Sequence, residues 1–341
     1  MLSYLGGRTI RVKVGSMLSR EVPVPVGIPQ GSVLGPLCFL LYITFLVRVN
    51  GLPPGVDLVS FADDTTILVD LRGLSSPAAV DRVRQASERV AEAAAQLCLE
   101  LNATKTKLVV FESKRGGSPP SDLSVSLRGE SLVGEDSAVA LGVILNGNLR
   151  WDGQIQKILG RGRAVVAGLR RLKAVGFPLN VMVLAYKAFF LPVIRYCITV
   201  WGATYYNVRA KVILLQKDSV RAILGLGWRE SVKSHMREHA LLDVDNYYKL
   251  ILAVYVYKWS TRRLPRNEGF DWERLTAIDK NLRNDRSLDV SRGSKLPNYV
   301  RRAPREAGGE LWNGLPIDIR RASSVAVFKR LLGRHLLLAQ Y

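Results

Sequence analysis

The sequence predicts an α+β protein: antiparallel strands backed by helices over the first 150 residues, then a basic α-helical domain and a small carboxyl-terminal extension. Three observations carry this. Short runs in which apolar and polar residues alternate lie before residue 150, and long runs with apolar residues at helical spacing begin at Trp151. The charge divides at the same place, with 15 Lys and Arg against 14 Asp and Glu in residues 1–150 but 34 against 15 in 151–341.

Taken in order, Ile10, Val12 and Val14 alternate with Thr9, Arg11 and Lys13, Gly15-Ser16 turns the chain, and Val22, Val24 and Val26 alternate again, which predicts a hairpin of half-buried strands. A loop spans Gly27 to Gly35. Pro36 stands at a first helical position, and the stretch through Val47, apolar all round, predicts a buried helix ending before Asn50-Gly51. Leu58 to Phe61 and Thr65 to Val69 are β-prone runs separated by Ala62-Asp63-Asp64, a tight hairpin with carboxylates at its tip. Ser76-Pro77 opens a helix whose Val80, Val83, Val90, Ala94 and Leu97 form one apolar face, placed to cover the sheet. Leu108 to Phe111 and Val139 to Leu145 read as strands, Lys114 to Ser121 as a loop. Helices are expected at roughly 153–175, 180–200, 207–226 and 246–262. The implied division is 1–150, 151–262, a polar basic linker at 263–310 and a terminal unit at 311–341, docked by Trp312, Leu315, Ile319, Phe328, Leu331 and Leu332.

A net charge of +20 on 341 residues favours a polyanionic partner, because Lys and Arg release counterions when they neutralise phosphates. Cys38, Cys98 and Cys197 lack CxxC spacing, which argues against a disulfide scaffold or zinc knuckle and predicts three packed thiols. Pro36 to Val47 is too short for the roughly 20 residues a membrane span needs, and Met1 to Gly7 does not resemble a signal peptide. An intracellular protein of nucleus or cytoplasm, not secreted and without a stable membrane partner, is expected.

Phe61-Ala62-Asp63-Asp64 is the informative constellation. Adjacent acids at a hairpin tip share a small volume, and a divalent cation relieves their repulsion; Mg2+, or Mn2+, suits hard oxygen ligands and fills its other positions with water and phosphates. Asp-Asp alone is usually a solvated turn. Its weight comes from Gly27-Ile28-Pro29-Gln30-Gly31-Ser32-Val33-Leu34-Gly35-Pro36 upstream, where three glycines and two prolines specify a fixed, non-helical backbone that a nucleotide could approach closely. His235 and His239 have metal-ligand spacing but no third ligand, and Asn102-Ala103-Thr104 matches a glycosylation acceptor that a non-secreted chain would not use.

The pair GIPQGSVLGPLCFLLYI and LVSFADDTTILV resembles motifs B and C of the reverse transcriptases of LINE-type (non-LTR) retrotransposons, closest to the jockey-like arthropod group. The likeness continues through LNATKTKLVVF, similar to motif D, LGVILNGNLRWDGQI, similar to the strand before the thumb, and LAYKAFFLPVIRYCITVWG and LWNGLPIDIRRASSVAVFKRLL further on. This resemblance implies a partial polymerase palm, a thumb-like helical domain and RNA-directed DNA polymerase activity, with RNA template, DNA primer and dNTPs as partners. It further implies that Asp63 ligates catalytic metal, Asp64 supports it, and Gln30 and Gly31 position the templating base and incoming nucleotide; Lys105 is a candidate to assist the departing pyrophosphate, with a solvated Lys beside a turn as the alternative. Arg161, Arg163, Arg170, Arg171 and Lys173, on the first helix after the palm, are candidates for the template-primer duplex, with a solvated helix face as the alternative.

Such polymerases need a further aspartate, from motif A, on a strand ahead of the helix that leads into YLGGRTIRV. Upstream of the FADD box this sequence has only Glu21 and Asp57, neither in that context. The expectation is therefore of a truncated or degenerate copy that does not polymerise DNA by itself. The alternative is a retroelement-derived remnant that binds RNA or RNA–DNA duplex without chemistry.

Overall fold

A computed structural model describes residues 2–111, 123–261 and 304–340. The chain is mixed α and β with small sheets and many helices, and divides into two compact units, Met1–Asp136 and Ser137–Tyr341. The expected loop at 114–121 and most of the expected linker at 263–310 lie outside the described residues.

In the first unit, α1 (Leu2–Leu5) leads into four two-residue strands, β1 (Thr9–Ile10), β2 (Lys13–Val14), β3 (Met17–Leu18) and β4 (Val22–Pro23). They fold back as the sequence predicts, with Thr9 opposite Pro23 and Lys13 opposite Leu18. Contrary to expectation the strands are not half-buried: Ile10, Val12, Val14 and Val22 are exposed, because no described element covers either face of so narrow a ribbon. The next element, α2 (Gly35–Val47), corrects the expectation of all-round burial in the same way. Ile43 and Leu46 are buried, but Leu37, Leu40, Leu41 and Phe45 are exposed, since neighbouring elements cover one side only.

Strands β5 (Val56–Phe61) and β6 (Asp64–Val69) form the expected hairpin, and α3 (Ser76–Gln96) backs it. Val90, Ala93 and Ala94 of α3 join Ile43 and Leu46 in one core, against which Leu58 and Ile67 pack. Two turns earlier on α3, Val83 buries with Leu123 and Val125, with Val69 alongside. Val125 belongs to a sheet ordered β7 (Leu108–Val109), β9 (Glu130–Glu135), β8 (Ser124–Leu127), with β7–β9 parallel and β8–β9 antiparallel, and Leu123 immediately precedes β8. Cys98 is exposed, not a packed thiol, because the chain leaves α3 there through a left-handed residue with φ 50°.

The second unit opens with β10 (Ser137–Ala140) and β11 (Val143–Asn146), a hairpin where one strand was expected. Leu141 and Gly142, both at positive φ, make its turn. Lys157 donates to the Gly142 carbonyl at 2.6 Å, and the Tyr196 hydroxyl donates to that of Leu141, so the turn's carbonyls are held by side chains from later in the chain. The long α4 (Asp152–Ala174) crosses α8 (Tyr206–Leu224), with Gly162 at the close approach to Leu215, where a Cβ would clash.

The helix expected at 180–200 is broken into α5 (Leu179–Ala185), a π-helical turn (Tyr186–Phe190), α6 (Leu191–Arg195) and α7 (Ile198–Trp201). Pro192 has no N–H to donate and its ring crowds the preceding turn, which the widened π turn accommodates, and Cys197 at φ 49° restarts the helix in a new direction. After α9 (Lys233–Glu238), α10 (Val244–Ser260) receives the carboxyl-terminal elements α11 (Pro304–Asn313), α12 (Ile317–Arg320) and α13 (Val325–Ala339). Gln340 Oε1 accepts from Asp243 N at 3.0 Å and Asn246 Nδ2 at 3.1 Å, fastening the chain's end to the start of α10.

Several buried tyrosines make this unit sensitive to alkali. Burial pushes the Tyr186 hydroxyl well above its ordinary range despite a hydrogen bond from Gln216 at 2.8 Å, and pushes Tyr247 and Tyr248 up to about 12. The unfolded chain releases these protons from about pH 10, while the folded chain holds them, so stability is complete below about pH 10 and falls as pH rises toward 12. Melts followed by circular dichroism between pH 8 and 11 are expected to show Tm falling at the alkaline end, and falling less in Tyr248→Phe.

Candidate active site

The acids sit on a frame built by strand alternation. Along β5 and β6, Leu58, Ser60, Thr65 and Ile67 turn toward the core, while Val59, Phe61, Asp64, Thr66 and Leu68 are exposed. The register pairs Phe61 with Asp64, leaving Ala62 and Asp63 as a two-residue turn. Ala62 adopts φ 52°, a left-handed conformation that hairpin turns of this length require and that glycine would take at less cost. Ser60 and Thr65 hydroxyls meet at 2.9 Å across the strands just below, tightening the tip.

Asp63 and Asp64 are both exposed, and among the described residues no Lys or Arg forms an ion pair with either. Two adjacent solvent-facing carboxylates are a hard-oxygen donor pair of the kind that Mg2+ accepts, so the residues fit a divalent cation. The other two acids upstream are otherwise placed. Glu21 pairs with Arg11, and hydrogen bonds from the Thr9 and Arg11 side chains hold its carboxyl below the usual range. Asp57 lies opposite Leu68, four residues down β5 from Phe61, about 13 Å from the tip at strand spacing. Among the described residues, no group of three or more His, Cys, Asp or Glu is arranged to hold a metal ion.

Loop 27–35 is fixed by its own hydroxyl. Ser32 Oγ donates to the Pro29 carbonyl at 2.7 Å and accepts from Gly35 N at 3.1 Å. A Cβ on Gly35 would lie 2.8 Å from that Oγ and 3.1 Å from the Pro29 carbonyl, so the turn into α2 demands glycine. Gly31, at φ 82°, supplies the reversal that presents the exposed Gln30. Two supports lay beyond the reach of the sequence reading. Arg8 donates to the carbonyls of Leu5 at 2.9 Å and Gly27 at 2.7 Å, and the Tyr4 hydroxyl hydrogen-bonds Ser32. No local signal announces either, because the partners are 19 and 28 residues away.

Lys105 ends a 3-10 turn (Ala103–Lys105) that Asn102 caps by accepting from Lys105 N at 3.1 Å. Its side chain is exposed and forms no ion pair with Asp63 or Asp64. On α4, Arg161, Arg163, Arg170 and Arg171 are exposed, and Lys173 is half-buried. At 100° per residue, Arg163 and Arg170 lie about 20° apart, Arg171 about 80° beyond Arg163, and Arg161 about 80° beyond Arg171, across the helix from Arg170. Arg163 and Arg170 thus share one side of the helix, Arg161 takes the other, and Arg171 lies between them. His235 sits 3.9 Å from Glu238 on α9.

Residues 3–145 match the model of the family described as reverse transcriptase (RNA-dependent DNA polymerase). The chain is 30% identical over 229 residues to the probable RNA-directed DNA polymerase from transposon X-element of Drosophila melanogaster, covering 66% of this chain and 25% of that protein. It is 27% identical over 308 residues to the RNA-directed DNA polymerase from mobile element jockey of the same organism, covering 87% of this chain and 32% of that one. A putative 115 kDa protein in type-1 retrotransposable element R1DM, also from Drosophila melanogaster, is 27% identical over 213 residues, 61% of this chain and 20% of that protein. The chain therefore spans about a quarter to a third of the first two relatives. No solved structure matches it.

Proposed function

We propose, from the place of residues 3–145 in the reverse transcriptase family, that this chain is the motif B-to-thumb portion of a non-LTR retrotransposon's RNA-directed DNA polymerase, working by two-metal nucleotidyl transfer. The observation that carries the reading is the pair Asp63-Asp64 at the exposed tip of a braced hairpin, with no described cation neutralising it. Divalent ions, Mg2+ or Mn2+, supply activation of the primer hydroxyl and charge stabilisation of the departing pyrophosphate when bound at such carboxylates.

The chain's own residues have separable parts. Asp63 and Asp64 donate oxygen ligands. Gln30 and Gly31, on a loop whose backbone is fixed by Ser32 and Gly35, orient the templating base and incoming nucleotide. Lys105 provides positive charge for the pyrophosphate, and Arg163, Arg170 and Arg171 contact the phosphate backbone of template and primer. In this reading the strands and α3 of the first unit are part of a polymerase palm and the helices from Asp152 onward a thumb.

With Glu21 held by Arg11 and Asp57 far down the strand, the set needs one more carboxylate than these residues bring to the tip. Primer extension on an RNA template with Mg2+ and dNTPs tests this. Residues 1–341 alone are expected at background, and a longer polymerase that adds an upstream aspartate-bearing strand is expected to extend the primer. Extension by residues 1–341 alone would show that the tip already holds a complete ligand set. Duplex binding by both proteins with extension by neither would favour a binding remnant.

A further inference from the structure

We propose that the turn joining α8 to α9 is a separate binding site for single-stranded nucleic acid, in which Trp228 and Arg229 stack an unpaired base and the basic depression that follows takes its phosphates. Gly225, at φ 75°, ends α8, and Gly227 to Glu230 form a β-turn closed by Glu230 N donating to the Gly227 carbonyl at 3.1 Å. Trp228 and Arg229 occupy its two corners. The turn is braced from both sides: the Glu230 carboxylate accepts from Gly227 N at 2.6 Å, and Arg221 donates to the Glu230 carbonyl at 3.2–3.3 Å. The tip is thus held rigid by groups that take no part in what it displays.

What it displays is a tryptophan 76% exposed, with the Arg229 guanidinium 4.6 Å from its ring centroid. Exposing an indole forgoes a large hydrophobic gain, and five other tryptophans in this chain include two that are wholly buried, Trp201 and Trp312. An aromatic ring paired with a guanidinium plane on a fixed turn is the platform on which bases stack irrespective of sequence.

The surroundings select a polyanion over a protein or lipid partner. Ser231, Lys233, Ser234, Arg237 and Glu238 line an open depression of about 600 Å³. Ser231 is three residues from Trp228, so at most about 11 Å of chain separates them, within reach of the phosphates flanking a stacked base. Lys173 reaches the foot of the turn, its Cε 3.2 Å from where a Cβ on Gly225 would stand. Two acids stand beside these cations: Glu230 accepts from Gly227 N, and Glu238 lies 3.9 Å from His235. The residues from 151 to 341, with a net charge of +19, add the long-range attraction.

The site is built from residues other than Asp63-Asp64 and rests on the polymerase reading only for the nature of the strand it would hold. Its test is binding of labelled twelve-nucleotide oligo-dT and oligo-U to the full chain, by anisotropy, beside a hairpin duplex control. Trp228→Ala is expected to weaken both single strands about tenfold, Trp228→Phe to restore most of that, and the duplex to be held as before. Lys233→Ala with Arg237→Ala is expected to flatten the salt dependence by between one and two units of log–log slope. Single-strand affinity within twofold of the parent in Trp228→Ala overturns the site, as does an equal loss for the duplex, or binding of anionic vesicles without binding of oligonucleotides. Duplex binding that persists while Trp228→Ala changes nothing removes this site and leaves the polymerase reading intact.

Discussion

In a longer polymerase that carries these residues, Asp63→Ala is expected to lower primer extension on the order of 10²–10³-fold or more, the scale for removing a single preorganised stabiliser of transition-state charge. The loss should fall on turnover rather than on template binding, because the carboxylate serves developing charge and not the duplex. Asp64→Ala is expected to lose less, since the resemblance gives it the supporting position. Neither change should shift unfolding by more than about 0.5 kcal/mol, the range for surface positions, because both side chains are exposed at a turn. Single-turnover extension and a thermal melt on the same preparations separate chemistry from folding. Activity within tenfold of the parent in Asp63→Ala would remove the hairpin tip from the chemistry.

A comparably large effect on stability is expected in the helical unit. Trp312 is wholly buried, its ring 5.8 Å from Phe328 and 6.4 Å from Tyr257, and Tyr257 and Phe328 stack at 4.5 Å. The Tyr257 hydroxyl closes the cluster by donating to the Ala322 carbonyl at 2.7 Å. Three elements distant in sequence, α10, α11 and α13, therefore share one aromatic centre. Trp312→Ala removes the largest side chain from it and leaves a cavity the rigid rings cannot fill, costing about 3–5 kcal/mol. With a urea slope of about 2 kcal/mol/M, the midpoint should fall by roughly 2 M. A fall below about 0.5 M would mean that residues 304–340 are not part of this unit's cooperative core.

How much of this was legible beforehand depends on the range of the force concerned. The hairpin carrying Asp63 and Asp64 was readable because alternation, turn composition and adjacent acids are all local, and the register places Phe61 opposite Asp64 accordingly. The helix from Ser76 was equally legible from its apolar stripe. Burial was not. Val12 and Phe45 look like core residues in sequence and are exposed, because burial needs a second surface and the sequence does not say which elements supply one. The strand expected at Val139–Leu145 became a hairpin through Leu141-Gly142, a turn whose positive φ at a leucine is held by Lys157 and Tyr196 from far along the chain.

By itself, then, the sequence determined the pattern of strands and helices, the charge asymmetry and the motifs by which it resembles reverse transcriptases, all of which depend on residues within a few positions of one another. The tertiary structure alone decided that Arg8 and Tyr4 steady the loop of Gln30, and that Trp228 is displayed while Trp312 is buried. Each of those outcomes depends on which surface meets which, and long-range packing energies fix that only when the whole unit has folded.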